Sequence, residues 1–151
     1  MSLIGANCRS AEPATLPFSC PAPPALKPTI LVVEDHDDTR EMLCLLAEAW
    51  GFRVVKACNG LEAVEAALRE KPQLILMDSR LPFIDGLEAT RRIRESGVLD
   101  QVKILALNGS GSPRYHAEAL AAGCNDSIEK PFDIERLRTY VVCSQFYATV
   151  I

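Results

Sequence analysis

Three short apolar runs in this sequence each hand over to a residue able to do chemistry, and a fourth segment does the same with a lysine. Ile30-Leu31-Val32-Val33 ends at Glu34-Asp35, Leu74-Ile75-Leu76-Met77 at Asp78, Ile104-Leu105-Ala106-Leu107 at Asn108, and Ile128 leads through Glu129 to Lys130-Pro131. Taken singly, each has a plain explanation as a loop carboxylate, a turn residue or a solvated lysine. Brought together they mean more. Three carboxylates in a small volume repel one another unless a cation neutralises them, and hard oxygen ligands that leave room for water suit magnesium. A lysine facing that ion adds a compact positive charge. The set frames a site for a phosphoryl group, whose equatorial oxygens need neutralising during in-line transfer. His36 and His116, by contrast, sit beside no plausible nucleophile and read as solvent-exposed.

The elements that must bring these residues together are legible from Thr29 onward, where short apolar runs alternate with helical periodicity, the pattern of beta-alpha units around a parallel sheet. It predicts strands over Thr29–Val33, Arg53–Ala57, Leu74–Met77, Lys103–Leu107 and Asp126–Ile128. The third and fourth are nearly all apolar, as befits the centre of a sheet covered on both faces. Helices are predicted over Asp38–Trp50, Gly60–Lys71, Gly86–Ser96 and Pro113–Ala122, where apolar residues recur at helical spacing, as in Leu61, Val64 and Leu68. Gly51, Pro72 and Gly123 stand as their stops. A fifth helix is predicted from near Asp133, a good N-cap residue, through Leu137 and Tyr140. In an open parallel α/β sheet, ligands gather beyond the carboxyl ends of the strands, where the strand order reverses. Glu34, Asp35, Asp78, Asn108 and Lys130 then share one rim.

A chain of 151 residues with 48% hydrophobic content can bury one sizeable core, with length left for a tail. The net charge of -4, from 16 basic and 20 acidic residues, gives no basic field and argues against direct nucleic-acid binding. The cluster Arg91, Arg92 and Arg94 reads as a solvated helix face. The 6 cysteines form no C-x-x-C pair and have no histidine at zinc-ligand spacing. They read as reduced, mostly core thiols, as in Leu43-Cys44-Leu45 and Val142-Cys143, which suits a cytoplasmic setting. No basic region followed by an apolar run opens the chain, and no stretch is long enough to span a bilayer, so secretion and membrane insertion are not expected. Residues 1–28, with Pro13, Pro17, Pro21, Pro23, Pro24 and Pro28, are expected to form a disordered leader. The domain is expected over 29–143, with 144–151 a tail or the end of the fifth helix.

Three segments in register carry a resemblance. Ile30-Leu31-Val32-Val33-Glu34-Asp35, Leu76-Met77-Asp78-Ser79-Arg80-Leu81-Pro82 with Asp85-Gly86, and Glu129-Lys130-Pro131-Phe132 closely resemble the receiver domains of bacterial two-component response regulators. The likeness covers about Thr29 to Tyr140, and the intervals from Asp35 to Asp78 and from Asp78 to Lys130 are typical of that family. It implies a doubly wound, flavodoxin-like α/β fold: a five-stranded parallel sheet in the order 2-1-3-4-5 with five helices. It further implies that Asp78 is the phosphoacceptor, that Asp35 and Asp78 bind magnesium (or manganese) directly, and that Glu34 binds it largely through water. The Arg80 backbone carbonyl would complete the protein ligands, Lys130 would pair with phosphoryl oxygens, and Pro131 would follow a cis peptide. The donor would be a histidine kinase or a histidine phosphotransfer protein.

What the resemblance implies is thus a stand-alone phosphoacceptor module rather than an enzyme. It would signal by binding a downstream protein not identified by the sequence, with a homodimer through the fourth helix, fifth strand and fifth helix. Two switch positions depart from the pattern. Asn108 stands where the family has Thr or Ser, and Ser127 where it has an aromatic residue. These departures keep open an alternative, a receiver-like interaction module that works without phosphorylation. Two other readings fit the residues less well. Glu34-Asp35-His36-Asp37-Asp38 would repel the bare phosphate of a flavodoxin-like flavin protein, and Arg80 stands where a haloacid-dehalogenase-like hydrolase wants a second Asp.

Overall fold

Side chains alternate across a strand, so a continuous apolar run buries both faces and must lie inside a sheet sandwiched by helices. That is where the computed structural model, which describes residues 27–109 and 111–150 and those from 144 on by backbone alone, places them. The elements run β1 (Thr29–Val33), α1 (Asp37–Ala49), β2 (Arg53–Ala57), α2 (Gly60–Glu70), β3 (Leu74–Asp78), α3 (Gly86–Glu95), β4 (Lys103–Asn108), α4 (Pro113–Ala122), β5 (Asp126–Glu129) and α5 (Ile134–Val150). All strand pairs are parallel, in the order β2-β1-β3-β4-β5. Strands β1 and β3 are buried throughout and β4 nearly so, whereas β2 and β5 are the half-exposed edges. The fold class expected from sequence is the one observed.

Alternate residues along each strand feed two cores. On one face Leu31, Val33, Ile75, Met77, Ile104 and Ala106 pack with α2, α3 and α4 through Ala63, Ala67, Ala89, Ile93 and Ala119. On the other, Ile30, Val32, Leu74, Leu76, Leu105 and Leu107 pack with α1 and α5 through Leu43, Ala47, Leu137 and Val141. Each fully buried Leu or Ile stabilises the fold by about 1.5–3 kcal/mol. The helices that carry alanine inward sit close to the sheet, and their polar caps fix where they start. Asn59 Oδ1 accepts from Glu62 N at 2.8 Å, Asp85 Oδ1 from Glu88 N at 2.8 Å, and Asp133 Oδ1 from Glu135 N at 3.0 Å.

The boundaries differ from expectation in an instructive way. Strands β3, β4 and β5 each run one residue further, taking in Asp78, Asn108 and Glu129. Asp78 pairs with Leu107 and Asn108 with Glu129, because the backbone ladder continues past the point where side chains turn polar. Helix α1 begins one residue earlier than expected, at Asp37, and ends at Ala49, with Trp50 as its C-cap. Helix α2 ends at Glu70 because Lys71 adopts a left-handed cap at φ 49°, and α3 ends at Glu95 with Ser96 as its cap. Gly51 and Gly123 end α1 and α4 at φ 97° and 117°, as their type predicts.

Two further expectations need correction. Arg91 and Arg92 are exposed and pair with Glu88, but Arg94 turns inward. It donates to Gly123 O at 3.0 Å, Leu99 O at 2.9 Å and Asn125 Oδ1 at 3.0 Å, tying α3 to the loops that lead into β4 and β5. Cys44 and Cys124 are core thiols, but Cys143 is exposed. Helix α5 turns Leu137 and Val141 to the sheet, and a residue two positions further on faces the opposite side. Cys8, Cys20 and the leader up to residue 26 lie outside the described residues. No helix among the described residues is long and apolar enough to cross a membrane.

Candidate functional site

The site is built where the carboxyl ends of β1, β3 and β4 and the turn after β5 meet. Glu34 continues β1 by one ladder bond, its N–H donating to Ala57 O at 3.1 Å, and this aims its side chain over the end of β3. Lys130 Nζ donates to Glu34 Oε1 and to Asp78 Oδ1, both at 3.0 Å. Glu34 and Asp78 are 2% and 4% exposed, so two carboxylates share one ammonium in a nearly dry setting. Asp35 faces solvent beside them. One oxygen each from Glu34, Asp35 and Asp78 lies within 4.8 Å of the others. An open cleft of about 420 Å³ covers the group, with Ser79, Arg80 and Gly109 completing its walls.

The loop after β3 returns tightly onto the site. Gly86 N donates to Ser79 O at 3.1 Å, and a Cβ at Gly86 would collide with the Asp78 carbonyl. Only glycine lets α3 start that close to the strand end. The peptide between Lys130 and Pro131 is cis. Before Asp35 and after it, the chain is also held. Arg40 Nη1 donates to Glu34 O at 2.9 Å, while His36 N donates to Glu34 Oε2 at 3.3 Å.

Electrostatics follow from one lysine serving two acids. Burial pushes the Glu34 carboxyl above its usual range, and the hydrogen bond from Lys130 offsets this only in part. Burial pulls the Lys130 ammonium down, yet the hydrogen bonds and charges of Glu34 and Asp78 outweigh it and hold the lysine above its ordinary value. Three clustered carboxylates against a single ammonium leave negative charge uncompensated. The donor set is hard oxygen beside open cleft, which fits a small divalent cation such as magnesium.

The two departures from pattern fall differently. Asn108 is 7% exposed at the end of β4, but it lines a neighbouring cleft of about 270 Å³ rather than the acidic one, where Gly109 takes the wall. Ser127 borders that second cleft, and its Oγ lies 2.6 Å from His116 Nδ1 on α4. His116 is exposed, as read from the sequence, but the tie to Ser127 was not legible there, because nothing in a linear order says that α4 and β5 face each other at these positions. Tyr115, next to it, packs into the core with its hydroxyl buried and unpartnered among the described residues. Ser110, in the loop between, lies outside the described residues.

Comparison with known proteins bears on all of this. A family model described as the response regulator receiver domain matches residues 30–142. The chain is similar to the polar-differentiation response regulator DivK of Brucella anthropi, 31% identical over 108 residues that cover 72% of this chain and 88% of that one. Of several other curated relatives it spans 48% of the length or less. Among solved structures, it resembles the receiver domain of the sensor histidine kinase PA1611 of Pseudomonas aeruginosa, which has a magnesium ion coordinated in its active-site cleft. The TM-score is 0.70 at 35% identity, covering 77% of this chain and 94% of that one. It also resembles the Saccharomyces cerevisiae receiver Ssk1 in complex with the histidine phosphotransfer protein Ypd1, with a TM-score of 0.69 at 31% identity over 74% and 84% of the two chains.

Proposed function

Because the chain belongs to the response-regulator receiver-domain family, we propose that it accepts a phosphoryl group on Asp78 in a magnesium-dependent step. The observation that carries this reading is the contact of Lys130 with both Glu34 and Asp78, beside an exposed Asp35 at the mouth of an open cleft. Asp35, Asp78 and the Arg80 backbone carbonyl would hold magnesium or manganese directly, and Glu34 largely through water. The ion, when bound, supplies a Lewis acid that offsets charge on the phosphoryl oxygens. The remaining work falls to the chain itself. Asp78 attacks in line, so that a P–O bond forms at its carboxylate as the P–N bond of a donor phosphohistidine breaks and its electron pair leaves with the imidazole. Lys130 orients the Asp78 carboxylate through Oδ1 and faces the transferred oxygens with its ammonium.

The donor in this reading is a histidine kinase or a histidine phosphotransfer protein, by likeness to the partnered yeast receiver. The chain signals as a cytoplasmic module over residues 29–143, through a downstream protein or a homodimer on the face of α4, β5 and α5, and turns over no substrate of its own beyond its aspartyl phosphate. A second reading, an interaction module that works without phosphorylation, draws on Ser127: its hydroxyl is tied to His116 on α4.

Incubation with acetyl phosphate and magnesium, followed by intact-mass measurement, separates the two. The parent should gain one phosphoryl group only when the divalent ion is present, and Asp78→Asn should gain none. A parent that stays unmodified would favour the interaction module, and an Asp78→Asn chain modified as fully as the parent would mean the acceptor is another residue.

A further inference from the structure

We infer that Arg40 is a positioning residue for the metal site: its guanidinium clamps the peptide plane that carries Asp35. This rests on the magnesium reading above and assigns a role to a residue outside the acidic cluster. Asp35 is exposed, and among the described residues no hydrogen bond or ion pair fixes its carboxylate. Its aim is therefore set by the backbone. The carbonyl of Glu34 and the N–H of Asp35 belong to one rigid peptide unit, so whatever grips that oxygen orients Asp35. Arg40 Nη1 grips it at 2.9 Å.

The other half of the fork is held from the helix. Arg40 Nη2 donates to Asp37 Oδ1 at 2.6 Å, and Arg40 N donates to His36 O at 2.9 Å as α1 begins. The side chain of Arg40 is 20% exposed while that of Asp37 is 86% exposed. An ion pair with so wet a partner contributes little to stability. Its consequence is geometric: it fixes the rotation of a planar guanidinium, so that the second nitrogen meets the Glu34 carbonyl. A guanidinium can serve both ends because its donors form a fixed fork, whereas a lysine has one point of attachment. Beyond Asp35, the next N–H, that of His36, is held among the described residues only by the Glu34 carboxylate at 3.3 Å. Glu34 also serves Lys130, so that restraint is shared with the site itself. Arg40 is the restraint independent of the cluster.

The test uses the full chain with Arg40→Met, which keeps the aliphatic stem, and Arg40→Lys, which keeps the charge. Magnesium binding is measured by calorimetry, and backbone amide signals are recorded without metal. Arg40→Met should weaken magnesium binding by about tenfold, the lower end of what losing an outer-shell partner of a metal ligand costs. It should also move the metal-free amide signals of Asp35 and His36. Arg40→Lys should restore less than half of the lost affinity on a logarithmic scale. With acetyl phosphate, the half-saturating magnesium concentration should rise by the same factor while the rate at saturating magnesium stays near that of the parent. Should Arg40→Met fail to fold, Asp37→Asn loosens the same fork from its far end and should shift affinity in the same direction by a smaller factor.

Parental affinity in Arg40→Met, or full restoration by lysine, would overturn the clamp and leave the magnesium reading standing. A parent chain that binds no magnesium would overturn the magnesium reading and this inference with it.

Discussion

At the scale of single residues, Tyr115 is the side chain whose environment asks for an account. Its hydroxyl is buried and finds no partner among the described residues, and an unmet buried donor costs about 1–3 kcal/mol. Replacing it with Phe keeps the ring in the core beside α4 and removes the unmet group. Tyr115→Phe should therefore be at least as stable as the parent at neutral pH, by up to about 1 kcal/mol in urea unfolding; a loss of more than that would mean the hydroxyl has a partner. The same burial pushes the Tyr115 and Tyr140 hydroxyls up to about 12. Because these folded values lie above the ordinary tyrosine value of about 10, the unfolded chain loses its phenolic protons first. Stability from this source is full below about pH 10 and is lost as pH rises through about 12. Tyr115→Phe should remove part of that alkaline decline, which unfolding midpoints between pH 9 and 12 would read out. The two effects have one cause, so an altered neutral stability with an unaltered alkaline limb would argue against it.

At the scale of elements, the question is how firmly α4 is tied to the sheet. The bond between His116 and Ser127 joins α4 to β5 at 2.6 Å, and Ser112 caps the helix start by accepting from Arg114 N at 3.1 Å. Asn108 sits between this region and the acidic cleft, but lines the far side. A ligand at Asp78 moves α4 only by its differential interaction with two positions of that helix. A pinned helix next to a switch residue that does not wall the cleft predicts weak coupling. Binding of beryllofluoride should shift amide signals near Asp78 and Lys130 strongly and those of Arg114 to Ala122 slightly. Ser127→Ala, which frees His116, should enlarge the second set. Large shifts across α4 in the parent would sink this account. Much of the architecture behind it was legible in the sequence, because apolar runs of strand length and a cap such as Asp133 are local signals. What was not legible are contacts made by long side chains across elements. Arg94 lies in a run of arginines that reads as a wet face, and only the packed fold shows it reaching Gly123 and Asn125. Arg40 reaching the Glu34 carbonyl is hidden for the same reason.

At the scale of the whole molecule, the fold concentrates its conflict at one rim. Two cores, one on each face of the sheet, are filled with aliphatic side chains, so the polar groups that remain buried among the described residues stand out: Thr29, Glu34, Asp78, Thr90 and Asn108. Two of the five are the acids that share Lys130; burial pushes the Glu34 carboxyl up, so its ionised form is destabilising to the folded state. A cation that binds only the folded chain should relieve this and stabilise by mass action. At a concentration one hundred times its dissociation constant the gain is about 2.7 kcal/mol. For a chain of this length each kcal/mol corresponds to roughly 2–4 °C, so saturating magnesium should raise the melting temperature by about 5–10 °C. The charge argument adds a requirement that mere ionic strength cannot meet. Sodium chloride at equal ionic strength should raise it far less, since the two buried acids are poorly screened. Asp78→Asn removes one of the opposed charges, so the metal-free variant should melt above the metal-free parent while its response to magnesium shrinks. Those two changes must occur together. A variant that gains stability yet keeps the full magnesium response would show that the ion binds elsewhere, and a variant that loses both would show that Asp78 supports the fold through Lys130 more than it strains it through Glu34.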